Sequence, residues 1–175
     1  EILNRREVNN LYILAPNYAA GKNMVDGVKR TYQGNIIGVD MTQWPGQLDF
    51  SAELAKLRSL KPEAVWVFYP GNHGTQFFNQ FAQAGLLGKI PLYSTFSVDA
   101  LNLPQIGPLV LGSLLTQHWS PDLSNEANQR FVRDFIKKTG RTPSFYASQA
   151  YDSAMLIRSA VEATEGNLNN IAAMR

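Results

Sequence analysis

Cysteine is absent from this chain of 175 residues. Its absence excludes disulfides, thiolate zinc sites and a cysteine nucleophile, and it suits an oxidising compartment. Long apolar runs are missing too, since none nears the ~18 residues that a membrane span requires. Neither sign of charge is in excess: charged residues make up 17% of the chain and the formal net charge is +2. The densest basic group is Arg130, Arg133, Lys137, Lys138 and Arg141. Arg130, Arg133 and Lys137 share a helix face opposite Phe131, Val132, Phe135 and Ile136. That is the pattern of a solvated face, and no nucleic-acid partner is expected. Histidine occurs only at positions 73 and 118, without ligand-pair spacing, so no metal is expected. The chain has no Gly-x-Ser-x-Gly elbow, no Gly-x-x-x-x-Gly-Lys-Ser/Thr loop and no Gly-x-Gly-x-x-Gly after its first strand. No cofactor is implied, and no two carboxylates are placed as an acid–base pair.

What the chain does have is one repeated unit: a short apolar run followed by a longer stretch with apolar residues three and four apart. Leu11–Ala15 precedes Gly21–Tyr32, Ile36–Val39 precedes Phe50–Leu60, and Ala64–Phe68 precedes Thr75–Leu87. Leu92–Tyr93 precedes a shorter helical piece near Val98–Leu103. This alternation predicts an α/β fold, a parallel sheet flanked by helices on both faces. Ala64–Phe68, apolar throughout, has the character of a central strand.

Finer expectations follow. Asn17 caps the first helix, which buries Met24, Val25, Val28 and Tyr32. Asp49 or Ser51 caps the second, whose inner stripe is Phe50, Leu54, Leu57 and Leu60, and Lys61-Pro62 ends it. Phe77, Phe78, Phe81 and Ala84 form the inner face of the third. Val110–Leu115 makes a fifth strand with a bulge or close approach at Gly112. After it the pattern changes to two helices, roughly Asn125–Thr139 and Ser148–Thr164. The latter is apolar almost all round, so it needs cover on several sides. The chain opens without methionine, and Asn169–Arg175 begins to look helical as it stops. It reads as a fragment with sequence missing at both ends.

Open parallel sheets bind ligands outside the carboxyl ends of their strands. The residues there are aromatic or small and hydrogen-bonding: Tyr18, Trp44, Tyr69, Asn72, His73, Thr95, Phe96, Ser97, His118 and Trp119. Flat walls with a few directed polar groups suit a small-molecule pocket better than a reaction centre. Any one of these aromatics is equally readable as packing. His73, in a glycine-flanked turn, is readable as a pocket residue, a turn residue or a catalytic base.

At these loops the chain resembles a known family. Asn17-Tyr18-Ala19-Ala20-Gly21-Lys22 resembles the Tyr-Gly-x-Gly-type turn that opens the second lobe of type I periplasmic solute-binding proteins, in the branched-chain amino acid transporter group. Asp49-Phe50-Ser51…Leu57, then Lys61-Pro62-Glu63-Ala64-Val65, is similar to the family's Asp-Phe-Ser…Leu…Lys-Pro-Asp-x-Val run. Gln80–Gly85 and Phe145-Tyr146…Ala150-Tyr151-Asp152 match as well.

The resemblance implies a non-catalytic, extracytoplasmic protein that traps solute between two α/β lobes and passes it to an ABC importer. Residues 1–118 would form the second lobe. Residues 119–175 would be the crossover and the returning helices of an incomplete first lobe. It further implies a ligand site containing Tyr18, Asn72, His73, Phe96 and Tyr146. At Phe96 the amino-acid binders carry a glutamate that pairs with the ligand's ammonium. An ammonium taken out of water needs such a partner. The expected ligand is therefore a small carboxylate, an aromatic acid and not an α-amino acid. The expected partners are the ABC permease subunits in the membrane and the missing amino-terminal lobe of the same chain. The expected location is the periplasm, after export on a signal peptide outside this sequence. Two rivals remain: a sensory domain with the same fold, and an α/β enzyme using His73 or Asp99.

Overall fold

Strand β1 (Asn10–Pro16) sends Leu11, Ile13 and Ala15 to one side and Tyr12 and Leu14 to the other. Strand β3 (Ala64–Val67) does the same, with Ala64 and Trp66 opposite Val65 and Val67. Two separate cores result, one on each face of the sheet, as the period of two demands. The structure, a computed structural model, describes residues 1–174. It divides into two compact units, residues Glu1–Gln117 and a second from His118 onward.

The first unit contains a 5-stranded sheet in the order β2-β1-β3-β4-β5, with every pairing parallel. Its other strands are β2 (Asn35–Thr42), β4 (Leu92–Thr95) and β5 (Leu114–Thr116). One face is covered by α1 (Ile2–Arg5) and α2 (Ala19–Thr31), through Leu3 and Val25. The other is covered by α3 (Ser51–Leu60) and α4 (Asn72–Gln83). Helix α4 buries Phe77, Phe78 and Phe81 almost completely. Each full burial of this kind contributes about 1.5–3 kcal/mol. The expected fold class is therefore observed, and the apolar run at 64–68 is the middle strand.

Several local expectations are corrected. The residue at the cap of α2 is Tyr18, and Asn17 makes no capping bond. Helix α2 begins close against β1, where a Cβ on Gly21 would stand 1.9 Å from the Pro16 carbonyl oxygen, so glycine alone fits there. Phe50 occupies the cap position of α3, while Asp49 Oδ1 accepts the Ser51 N–H at 2.9 Å just outside. Leu60 leaves the inner stripe and is 49% exposed. Asn72 and His73 form the first turn of α4 and no separate loop. The helix expected near 98–103 lies later, as α5 (Leu103–Ile106), because the Asn102 side chain folds back onto 97–99 and holds that stretch in a turn. Strand β5 begins only at Leu114; Gly112, at φ +82°, belongs to the turn before it.

In the second unit, α6 (Glu126–Thr139) is capped by Asn125, whose side chain accepts the Asn128 N–H. Asn128 organises the preceding segment. Its Nδ2 donates to the carbonyls of Ser120, Pro121 and Leu123, and its Oδ1 accepts Trp119 Nε1–H at 2.6 Å. Helix α7 (Phe145–Ala163) starts three residues earlier than expected because Ser144 caps it. Phe131 of α6 meets Tyr151 of α7 at 4.6 Å. The far side of α7 stays open, with Leu156 73% and Ile157 64% exposed. Residues 171–174 form turns where a helix was expected, and Arg175 lies outside the described residues.

Candidate functional site

The carboxyl ends of β1, β2, β3 and β4 each deliver an aromatic ring to one place. Tyr18 follows β1 and lies parallel to Trp44, which follows β2, with centroids 4.8 Å apart and planes 18° apart. Trp44 meets His73 at 4.7 Å. Phe68, at the end of β3, stacks with Tyr18 at 6.3 Å and meets the edge of Phe96 at 6.5 Å. Tyr18, His73 and Phe96, three of the residues singled out from sequence, are thus members of one continuous aromatic cluster. Asn72 lies exposed beside His73 at the start of α4. Tyr146 belongs to the second unit, at the start of α7, where its ring meets Phe145 at 4.1 Å.

Two members of the cluster, Trp44 and Phe68, lie outside the ligand set expected from the sequence. Trp44 was visible as a strand-end aromatic, and its place after β2 is the signal that could have promoted it. Phe68 closes an apolar run, and nothing in that run separates a wall residue from a core one.

The backbone under the cluster is tightly built. A Cβ on Gly74 would lie 2.3 Å from the Tyr69 carbonyl oxygen and 2.6 Å from that of Ser97, so α4 starts in direct contact with both loops. Ser97 Oγ accepts the Tyr69 N–H at 2.9 Å and donates to the Thr95 carbonyl at 3.1 Å. Phe96 takes the left-handed conformation with φ +53°. A non-glycine residue there costs about 1–3 kcal/mol, a strain that proteins concentrate at functional positions. The Thr95 and Thr116 hydroxyls pair at 2.7 Å at the ends of β4 and β5.

Burial shapes the protonation states. It lowers the His73 pKa from its ordinary value and raises that of Tyr18, so both are held neutral. His73 Nε2 is buried without a hydrogen-bond partner among the described residues. A neutral imidazole with an unused ring nitrogen beside an aromatic wall is suited to receive a polar group from a ligand. Among the described residues no carboxylate is hydrogen-bonded to it. Asp99, the acid of the enzyme alternative, accepts the Leu101 N–H at its Oδ1 at 2.8 Å. Among the described residues, no three His, Asp or Glu form a metal cluster, and no helix is long and apolar enough to cross a membrane.

The first unit is thus a parallel α/β sheet with an aromatic cluster gathered at the carboxyl edge of its strands. The chain belongs to the periplasmic binding protein family, whose model matches residues 2–175. An ABC transporter solute-binding protein from R. palustris, solved in complex with benzoate, is similar at 28% identity with a TM-score of 0.92, covering 99% of this chain and 48% of that one. A solute-binding protein from Rhodopseudomonas palustris BisB5, in complex with 3,4-dihydroxy benzoic acid, is similar at 26% identity and a TM-score of 0.85, covering 95% and 47%. Among curated proteins, Leu/Ile/Val-binding protein homolog 6 of Brucella suis is 28% identical over 123 residues, 67% of this chain and 32% of that protein. The chain therefore spans about a third of that curated relative and about half of the two solved ones.

Proposed function

We propose that this chain is part of the solute-binding component of an ABC importer, and that its solute is a small aromatic carboxylate. Residues 1–118 act as one jaw, the second lobe. Residues 119–175 act as the crossover and the returning helices of the other. The observation that carries the reading is the aromatic cluster of Tyr18, Trp44, His73, Phe68 and Phe96 on one edge of one sheet. Stacked rings are worth about 0.5–1.5 kcal/mol per good pair beyond their buried area. The same edge has an aromatic, Phe96, where the amino-acid binders of the resembled family have a glutamate. The benzoate and 3,4-dihydroxy benzoic acid found in two similar proteins support the same ligand class.

Tyr18, Asn72, His73, Phe96 and Tyr146 are the proposed ligand residues. A solute that touches both lobes stabilises the closed form by its differential affinity, so capture needs no catalysis and no cofactor. The apolar side chains left open on α7 support the presence of a first lobe to cover them. Permease subunits in the membrane are the proposed partners and the periplasm the proposed location.

Calorimetry on protein made from the whole coding sequence tests this, with benzoate, a cinnamate-like acid and leucine as titrants. Binding of the arene acids without leucine binding is expected. Tight leucine binding with no heat from either arene acid overturns the ligand class.

A further inference from the structure

Trp44 is the one member of the aromatic cluster that lies in the open. It is 38% exposed, whereas Phe68 is 4% exposed and Tyr18, His73 and Phe96 are half-buried. The loop that carries the indole is pinned at several points. Gln43 N–H donates to Gln47 Oε1 at 3.0 Å, and Gln47 Nε2 donates to the Asp49 carbonyl at 3.0 Å and Glu53 Oε1 at 2.9 Å. Gln80 reaches over from α4: its Nε2 donates to the Leu48 carbonyl at 2.6 Å and its Oε1 accepts the Phe50 N–H at 2.8 Å. Tyr18 and His73 then fix the plane of the indole itself.

We propose that Trp44 is the residue that makes this wall selective for an aromatic ring over a saturated ring of the same size and charge. Tyr18 and His73 hold it in place, and Gln47 and Gln80 position its loop. The inference rests on the aromatic-acid reading above and assigns the selectivity within it to one side chain. The physical basis is the quadrupole of the indole, positive at its edge and negative on its faces, which discriminates an arene from a cyclohexane although both bury similar apolar area.

The test titrates protein from the whole coding sequence with benzoate and with cyclohexanecarboxylate, for the wild type, Trp44→Leu and Trp44→Phe. In Trp44→Leu the ratio of benzoate to cyclohexanecarboxylate affinity is expected to fall about three- to tenfold, and Trp44→Phe to restore it. Trp44→Met replaces the leucine variant if that variant loses its cooperative melt, and it must lower the ratio likewise. An unchanged ratio overturns the assignment even where both affinities drop together, because such a loss reflects loop support alone. A wild type that binds neither acid overturns the aromatic-acid reading itself. A wild type that binds benzoate, with an unaltered ratio in the variant, overturns only the role of Trp44.

Discussion

The ring of Tyr18 lies face to face with the indole of Trp44 at 4.8 Å, although 26 residues separate them in the chain. The contact exists because β1 and β2 are parallel neighbours, with Pro16 opposite Thr42, so the segments leaving both strands emerge side by side. Tyr18 consequently supports the indole and also stacks with Phe68.

Replacing Tyr18 with alanine removes both contacts. Benzoate affinity of the whole protein is expected to fall at least tenfold, about 1.4 kcal/mol. Calorimetry reads this directly, and an unaltered binding constant removes Tyr18 from the site.

Two glycines are expected to respond to alanine with opposite signs. At Gly74 the added methyl meets two carbonyl oxygens inside 2.7 Å, at 2.3 and 2.6 Å, both on backbone that cannot easily retreat. Such overpacking costs about 1–3 kcal/mol. At Gly27, inside α2, nothing lies within 4 Å of the same methyl. There alanine gains about 0.5–1 kcal/mol from helix propensity. Urea melts of the two variants should shift in opposite directions.

His73 supplies a pH dependence. Its folded pKa is lowered by burial, so the unfolded chain binds its proton more readily. Its contribution to stability is fully present above the unfolded value of about 6.5 and is lost as pH falls below it. Urea unfolding of the wild type and of His73→Gln between about pH 5 and 8 should show the wild type losing stability faster on acidification. Proton NMR should place the His73 midpoint below that of an unfolded peptide.

Tyr12 is 3% exposed and donates its hydroxyl to Asp40 Oδ2 at 2.8 Å, while Lys56 holds both oxygens of the same carboxylate at 2.7 and 2.9 Å. Burial, and after it the hydrogen bond to Asp40 and that carboxylate's charge, push the Tyr12 pKa far upward. Asp40→Ala leaves the hydroxyl without its acceptor and is expected to cost about 1–3 kcal/mol. Lys56→Ala removes only a half-exposed partner and should cost less than about 1 kcal/mol. Thermal melts of the two variants check the ranking.

The sheet was readable from sequence where each strand is a dense apolar run, as at 11–15 and 64–68. Those runs are buried on both faces and leave little choice of conformation. That Tyr18, His73 and Phe96 come together was readable for a related reason, since parallel strands gather their carboxyl ends at one edge. The features decided by a single side-chain bond were not readable. The Asn102 turn that displaces α5 and the Ser144 cap that lengthens α7 compete at the level of one hydrogen bond, below what periodicity resolves. Leu60 failed for another reason: helical spacing places it on the inner stripe, but the last turn of α3 runs past the core.

Ser97 ties the loop after β3 to the loop after β4 through its hydroxyl, while Asn102 Nδ2 holds its carbonyl at 2.9 Å and α4 presses on the same carbonyl through Gly74. His73 and Phe96 are thereby mounted on one stiff bracket. Under the proposed function, such a jaw arrives at its solute already shaped, with little ordering left to do on contact. Differences between solutes will accordingly register in how long each stays, more than in how fast it enters.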